Sequence, residues 1–297
     1  MRQFVLPEDW DGGPECFVRG GRARYLARVL RLGEGDNFVG MDGAGRRWLC
    51  SVRELGDEVL RLAVEPLPPE SPSAALGDLR GARGRSGAAS LRTAVKAPGN
   101  GAESRTGALG GAAWAPPPIT LAQGLPKGAK MDLIVRQAAE AGVSRIVPLV
   151  SRHCVPRSAH DPAGRKSRWE RIVREALQQS GSTVPTQVLA PVDLVGLVAL
   201  LGAPDPERGE LRLLLHEAPL AQASLHGYLT ETPSRIVLCV GPEGGFAEDE
   251  VSFLREAGFR PLRLAGAILR TETAALVAVA SANIILSERS SWMPKPQ

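Results

Sequence analysis

The residues best placed to do chemistry are Gly241-Pro242-Glu243-Gly244-Gly245-Phe246, which directly follow an apolar run, Ile236–Val240, that reads as a buried strand. A glycine-rich turn at the carboxyl end of a parallel strand is where α/β proteins hold ligands. Glycine there lets backbone amides approach the ligand closely, so Gly244 is expected to stay small for ligand access. The turn matches neither the dinucleotide pattern G-x-G-x-x-G nor the phosphate loop G-x-x-x-x-G-K-[ST]. Glu243 would repel a phosphate. The expected ligand therefore lacks phosphate or carries positive charge. Taken alone, the same residues serve equally as a tight connection to a helix starting near Ala247-Glu248-Asp249, with acids in its first turn.

Two further segments end in the same way. Leu264, Ile268 and Leu269 lead into Arg270, after which Thr271-Glu272-Thr273 open a helix that either threonine could cap. A cation at that position gains nothing from the helix dipole, and a residue kept against local preference often serves a site. The plainer reading is an N-cap beside a surface arginine. Leu213-Leu214-Leu215-His216-Glu217 is a strand ending in two polar residues. If these strands are neighbours, the three segments converge on one crevice, which says more than any of them singly.

The elements that would position them alternate. Ile119–Ala122, Ile146–Val150, Leu211–Leu215, Ile236–Val240 and Leu262–Leu264 are strand-like. Helices are expected from Lys130 to Ala141, with Met131, Ile134, Val135 and Ala138 inward and Gly142 ending it. Others run from Ser167 to Gly181 with Trp169, Ile172, Val173 and Ala176 inward, from Glu248 to Ala257, and from Thr271 to Leu286. This alternation means an α/β domain with a parallel sheet, over residues 118–290. Residues 1–67 differ. Short β-like runs Asn37–Met41, Trp48–Val52 and Val59–Val64 are split by turns, and one helix fits Arg22–Leu32 with Leu26, Val29 and Leu30 on one face. That is a small, mainly β domain of barrel type. Between the two, residues 68–117 are rich in Gly, Ala, Ser, Pro and Arg and poor in large apolar side chains, so a disordered linker is expected; a basic arm on RNA is the alternative.

Composition narrows the function classes. The net charge of +4 fits a nucleic-acid partner without demanding one, and residues 1–67 hold 10 Lys and Arg against 11 Asp and Glu, so no basic run exists. Cys16, Cys50, Cys154 and Cys239 form no C-x-x-C pair, which argues against a metal site and for free thiols in a reducing cytoplasm. The longest apolar run, Ala274–Leu286, is broken by Ser281 and Asn283 and is too short to span a bilayer, so no membrane role is expected.

Several segments together resemble the ribosomal RNA small subunit methyltransferase E family, a branch of the SPOUT superfamily. They are GPEGGF followed by Ala247-Glu248-Asp249-Glu250, and Leu269-Arg270-Thr271-Glu272-Thr273-Ala274. With them go Gln123-Gly124-Leu125-Pro126-Lys127-Gly128, Lys130-Met131-Asp132, Glu140-Ala141-Gly142-Val143, Glu175-Ala176 with Gln178-Gln179-Ser180, and Arg28-Val29-Leu30-Arg31. The resemblance covers nearly all of residues 1–67 and 118–287. It implies a PUA-like β-barrel for RNA, and a C-terminal α/β trefoil-knot domain through which the last helix is threaded. It also implies S-adenosyl-L-methionine (SAM) as cofactor, a homodimer, and methylation of uridine N3 in 16S ribosomal RNA of the small ribosomal subunit.

By the same resemblance, backbone groups of Leu215, Gly241, Leu264 and Leu269 hold the cofactor, with His216, Glu217, Pro242, Gly244, Gly245, Ile268, Thr271, Thr273 and Ala274 around it. Arg270 is the expected activating group and Glu243 orients the cofactor or accepts a proton. Arg28 and Arg31 are expected on RNA phosphates. Three features depart from the family: Ala265 and Ala267 replace its Gly and Arg, Tyr25 replaces its His, and the linker is long. The Ala departures remove a cation from the cofactor rim. A catalytically weak RNA-binding protein and a methyltransferase for another RNA therefore stay open.

Overall fold

The computed structural model describes residues 3–56, 58–67, 116–154, 162–203, 209–216, 223–264 and 268–288. The expected linker lies almost wholly outside the described residues, as do Glu217, Ala265 and Ala267. The chain divides into two compact units. One comprises Leu6–Asp42 and Arg47–Ala115; the other comprises Met1–Val5, Gly43–Arg46 and Pro116–Gln297.

Strand β1 (Phe4–Val5) belongs to the second unit; in the first unit, β2 (Glu15–Arg19), β3 (Asn37–Met41), β4 (Arg47–Leu55) and β5 (Val59–Pro66) pair antiparallel in the order β3-β4-β5-β2. A bulge between Val52 and Glu54 bends β4. Cys16, Val18, Cys50, Val52, Leu60, Leu62 and Val64 alternate onto one buried face. The expected Arg22–Leu32 helix is corrected. A four-residue helix α1 (Gly21–Arg24) widens into a π-turn over Tyr25–Val29, closed by Leu30 N–H donating to the Tyr25 carbonyl at 3.1 Å. The wider turn keeps Leu26 buried but rotates Val29 outward, to 64% exposure, so the stripe assumed from an α period does not form. Arg31 then takes φ 55°, which ends the segment before Gly33.

The second unit holds a six-stranded parallel sheet ordered β11-β9-β10-β6-β7-β8. Its strands are β6 (Ile119–Gly124), β7 (Arg145–Leu149), β8 (Gln187–Val188), β9 (Glu210–Leu215), β10 (Arg235–Val240) and β11 (Arg260–Leu262). The central strands are buried on both faces, which is why they read as unbroken apolar runs. Arg212 is the exception on β9: it is buried, and is tolerated because Glu210 and the carbonyls of Gly202 and Ala257 take its guanidinium.

The helices are α2 (Lys130–Glu140), α3 (Pro162–Ser180), α4 (Leu194–Leu201), α5 (Leu225–Tyr228), α6 (Glu248–Glu256) and α7 (Thr271–Ser287). Met131, Ile134, Val135 and Ala138 of α2 are buried as their spacing requires, and Gly142 follows the helix end with φ 79°. Helix α3 starts five residues before the expected Ser167 and buries Trp169, Ile172, Val173 and Ala176. Strand β11 sits two residues earlier than expected because Pro261 and Leu262 pair with β9. Helix α4 carries no polar face to betray its period; Asp193 caps it by accepting from Gly196 N–H at 2.7 Å. Helix α7 packs against α2, β6 and β10, so its N-terminus lies over the carboxyl ends of the central strands.

Candidate functional site

The carboxyl ends of β9, β10 and β11 and the start of α7 enclose a cavity of about 540 Å³. Leu215 and His216 enter from β9, and Gly241, Pro242, Glu243, Gly244 and Gly245 from the turn after β10. Leu264 follows β11, and Ile268, Leu269, Arg270, Thr271 and Ala274 come from the approach to α7 and its first turn. The three strand-end segments thus converge. Thr273 does not line the cavity; it is exposed in the first turn of α7. Arg28 and Arg31 are exposed in the other unit, in and just after its π-turn.

The turn is held from three sides. The Thr271 hydroxyl donates to the Gly241 carbonyl at 2.6 Å and accepts from Nε2 of Gln123 at 2.9 Å. Gln123, wholly buried at the end of β6, also donates to the Gly124 carbonyl. Neither threonine caps α7 as expected: Arg270 occupies the N-cap position without a side-chain bond, and the Thr271 hydroxyl is used on the turn instead. A Cβ on Gly124 would fall 2.5 Å from the Pro242 nitrogen, so only glycine lets β6 run this close to the turn. From below, His153 Nδ1 lies 2.9 Å from the Gly244 carbonyl, while the Arg152 N–H donates to Glu250 and its guanidinium pairs with Asp249. A Cβ on Gly244 would sit 3.0 Å from the Cβ of His153, so packing against His153 by itself favours a small residue here.

Electrostatics divide the rim. Glu243 accepts from Lys130 Nζ at 2.8 Å and from the Lys127 N–H at 3.2 Å. Burial pushes its carboxyl upward, but the Lys130 hydrogen bond and the Glu243 and Lys127 backbone N–H groups outweigh this and hold it below its ordinary value. A carboxylate so held is a fixed negative charge and a weak base. The Lys130 ammonium is raised in turn, first by that hydrogen bond. Arg270 is exposed and makes no ion pair among the described residues. Phe246 belongs to the expected glycine-rich segment, whereas Lys130, Arg263, Gln123 and His153 were not expected at this site. Lys130-Met131-Asp132 was visible as a family segment, but its partner lies 113 residues away. Among the described residues no group of His, Cys, Asp and Glu could hold a metal, and no helix is long and apolar enough to cross a membrane.

A parallel α/β sheet whose glycine turn and last helix wrap one cavity, joined to a small β unit, defines a class: an RNA methyltransferase domain with a PUA domain. The family described as RNA methyltransferase domain matches residues 115–283, and that described as RNA methyltransferase PUA domain matches 18–64. The chain belongs to the ribosomal RNA small subunit methyltransferase E family. It is 31% identical to the Synechocystis sp. protein of that name, over 88% of this chain and 70% of that one. The Mycobacterium bovis protein is 29% identical over 93% and 89%. The crystal structure of the Neisseria gonorrhoeae enzyme, bound to S-adenosyl methionine, superposes with TM-score 0.70 at 26% identity, covering 97% of this chain and 98% of that one.

Proposed function

We infer that this chain transfers a methyl group from SAM to N3 of a uridine in 16S ribosomal RNA of the small subunit, as a cytoplasmic homodimer whose C-terminal domain is knotted around α7. The observation that carries this reading is one cavity lined both by an anion, Glu243, and by an exposed cation, Arg270, that makes no ion pair among the described residues. Its volume of about 540 Å³ lies in the range of small-ligand sites. SAM fits it: a sulfonium and an ammonium group suit the negative Glu243, and apolar Leu215, Leu264, Ile268 and Leu269 suit the adenosine. Bound there, SAM would supply an electrophilic methyl group.

The chain's own work is positioning and charge. Uracil N3 is a poor nucleophile while it carries its proton. A guanidinium beside it favours loss of that proton to solvent water and the spread of the resulting anion onto the carbonyl oxygens. We assign that role to Arg270. Glu243, held ionised by Lys130, orients the cationic cofactor rather than taking the proton. His216, Thr271 and the Gly241–Gly245 backbone bind the cofactor, and Arg28 and Arg31 hold RNA phosphates from the β unit. The homodimer rests on the family resemblance and on α7, where Val277, Ala280 and Ile284 recur at helical spacing, the first two half-buried and Ile284 49% exposed.

The test is incubation with labelled SAM and small ribosomal subunits lacking the modification, followed by nucleotide-resolution mass mapping. One N3-methyluridine is expected. SAM binding without methyl incorporation would leave an RNA-binding protein with a residual cofactor site, and methyl on ribose would overturn the target.

A further inference from the structure

A second cavity, of about 520 Å³, opens at the carboxyl end of β6. It adjoins the first through Lys127, which lines it and whose N–H donates to Glu243 of the cofactor cavity. Its apolar wall is Leu125, Pro126, Met131 and the buried Trp169. Its rim carries Lys127, Arg165 and Arg168, against one acid among the described lining residues, Asp132, which is paired with Arg168. Arg165, Arg168 and Trp169 stand at i, i+3 and i+4 on α3, so two cations and an aromatic ring share one helix face by construction. Helix α2 begins at the same cavity with Ala129 in the N-cap position and no side-chain cap. The Asp132 N–H already donates to the Ala129 carbonyl at 3.1 Å, so the uncapped turn adds only the Lys130 and Met131 N–H groups as donors.

Methyl transfer as derived above uses none of these cations. An apolar wall beneath a net positive rim matches one nucleotide unit, with the base on the wall and the phosphate on the cations. We propose that this cavity holds a nucleotide of the RNA strand flanking the methylated uridine, its phosphate engaged by Lys127, Arg165 and Arg168. This rests on the reading of the chain as an RNA methyltransferase and adds where its substrate strand runs. Arg168 sits on an exposed, replaceable ion pair, so its removal should cost the fold little.

The test is filter binding of small-subunit ribosomal RNA to the full chain without SAM, across a salt series, for wild type, R165A/R168A and R165K/R168K. Because no methyl transfer is needed, a wild type that fails to methylate leaves the measurement intact, and the two readings fail separately. The alanine pair should bind RNA about tenfold or more weakly near 0.15 M salt, with a log–log salt slope shallower by about one. Its SAM affinity and melting temperature should match wild type, and the lysine pair should recover most of the loss. Unchanged RNA affinity and slope in a folded R165A/R168A protein would overturn the proposal. So would a lysine pair no better than the alanine pair, or a dimer that falls apart in R165A/R168A, which would mark the cleft as a subunit contact.

Discussion

Thr271→Val should both destabilise the C-terminal unit and loosen the cofactor turn. Valine keeps the shape of threonine but puts a methyl group where the hydroxyl bridges Gln123 Nε2 and the Gly241 carbonyl, at 2.9 and 2.6 Å. Thr271 is 7% exposed and Gln123 wholly buried, so water replaces these partners poorly. Each lost hydrogen bond costs about 0.5–1.5 kcal/mol net, and Gln123 keeps a second acceptor in the Gly124 carbonyl, so the sum is about 2 kcal/mol. Thr271→Ser keeps both bonds and loses one methyl group, about 0.8 kcal/mol. Urea unfolding should therefore rank wild type, Ser and Val in that order. Calorimetric SAM affinity should fall about tenfold in the valine variant, a factor equal to about 1.4 kcal/mol of lost preorganisation, and little in the serine variant. A valine variant as stable as wild type, or a serine variant at least as costly, would refute the view that this hydroxyl fastens the turn.

Arg270→Ala should lower the single-turnover methylation rate on small subunits by about a hundredfold or more, with much less effect on calorimetric SAM affinity; a parallel fall in both would make Arg270 a cofactor residue. Because Glu243 is held below its ordinary value, its charge should serve SAM binding fully above the usual carboxylate pKa of about 4.3 and be lost as pH falls through the lowered value. Lys130→Met removes the main downward influence, so titrations at successive pH values should show SAM affinity failing at higher pH than in wild type; an unshifted profile would sink the pairing. Burial pushes the Cys16 thiol to about 11, Cys50 to about 12 and Cys239 higher still, whereas Cys154 is half-buried. Ellman's reagent at pH 8 should titrate one thiol quickly and four after unfolding, and two or more fast thiols would contradict the packing.

How far the sequence carried depends on the range of the interactions involved. Periodicity placed α2, α6 and α7 and the buried runs of β6, β9 and β10, since an amphipathic stripe or a doubly buried strand is written in a few consecutive residues. It missed α4, whose eight residues are nearly all apolar, and it read an α stripe through Arg22–Leu32 where a π-turn sends Val29 to solvent. The three cavity-lining segments were legible as strand ends because a parallel sheet must gather its carboxyl ends on one side. What fills the space between them was not. The Lys130–Glu243 pair, the Gln123–Thr271–Gly241 chain and the brace from Arg152 and His153 join residues between 30 and 148 positions apart. No local pattern encodes such partners, because the strand order β9-β10-β6-β7 that brings them together is a property of the closed sheet. Residue types along the chain pointed to a non-phosphate or cationic ligand at Gly241–Gly245. Tertiary structure alone decided that Glu243 is paired with the Lys130 ammonium, because that group is delivered by another helix.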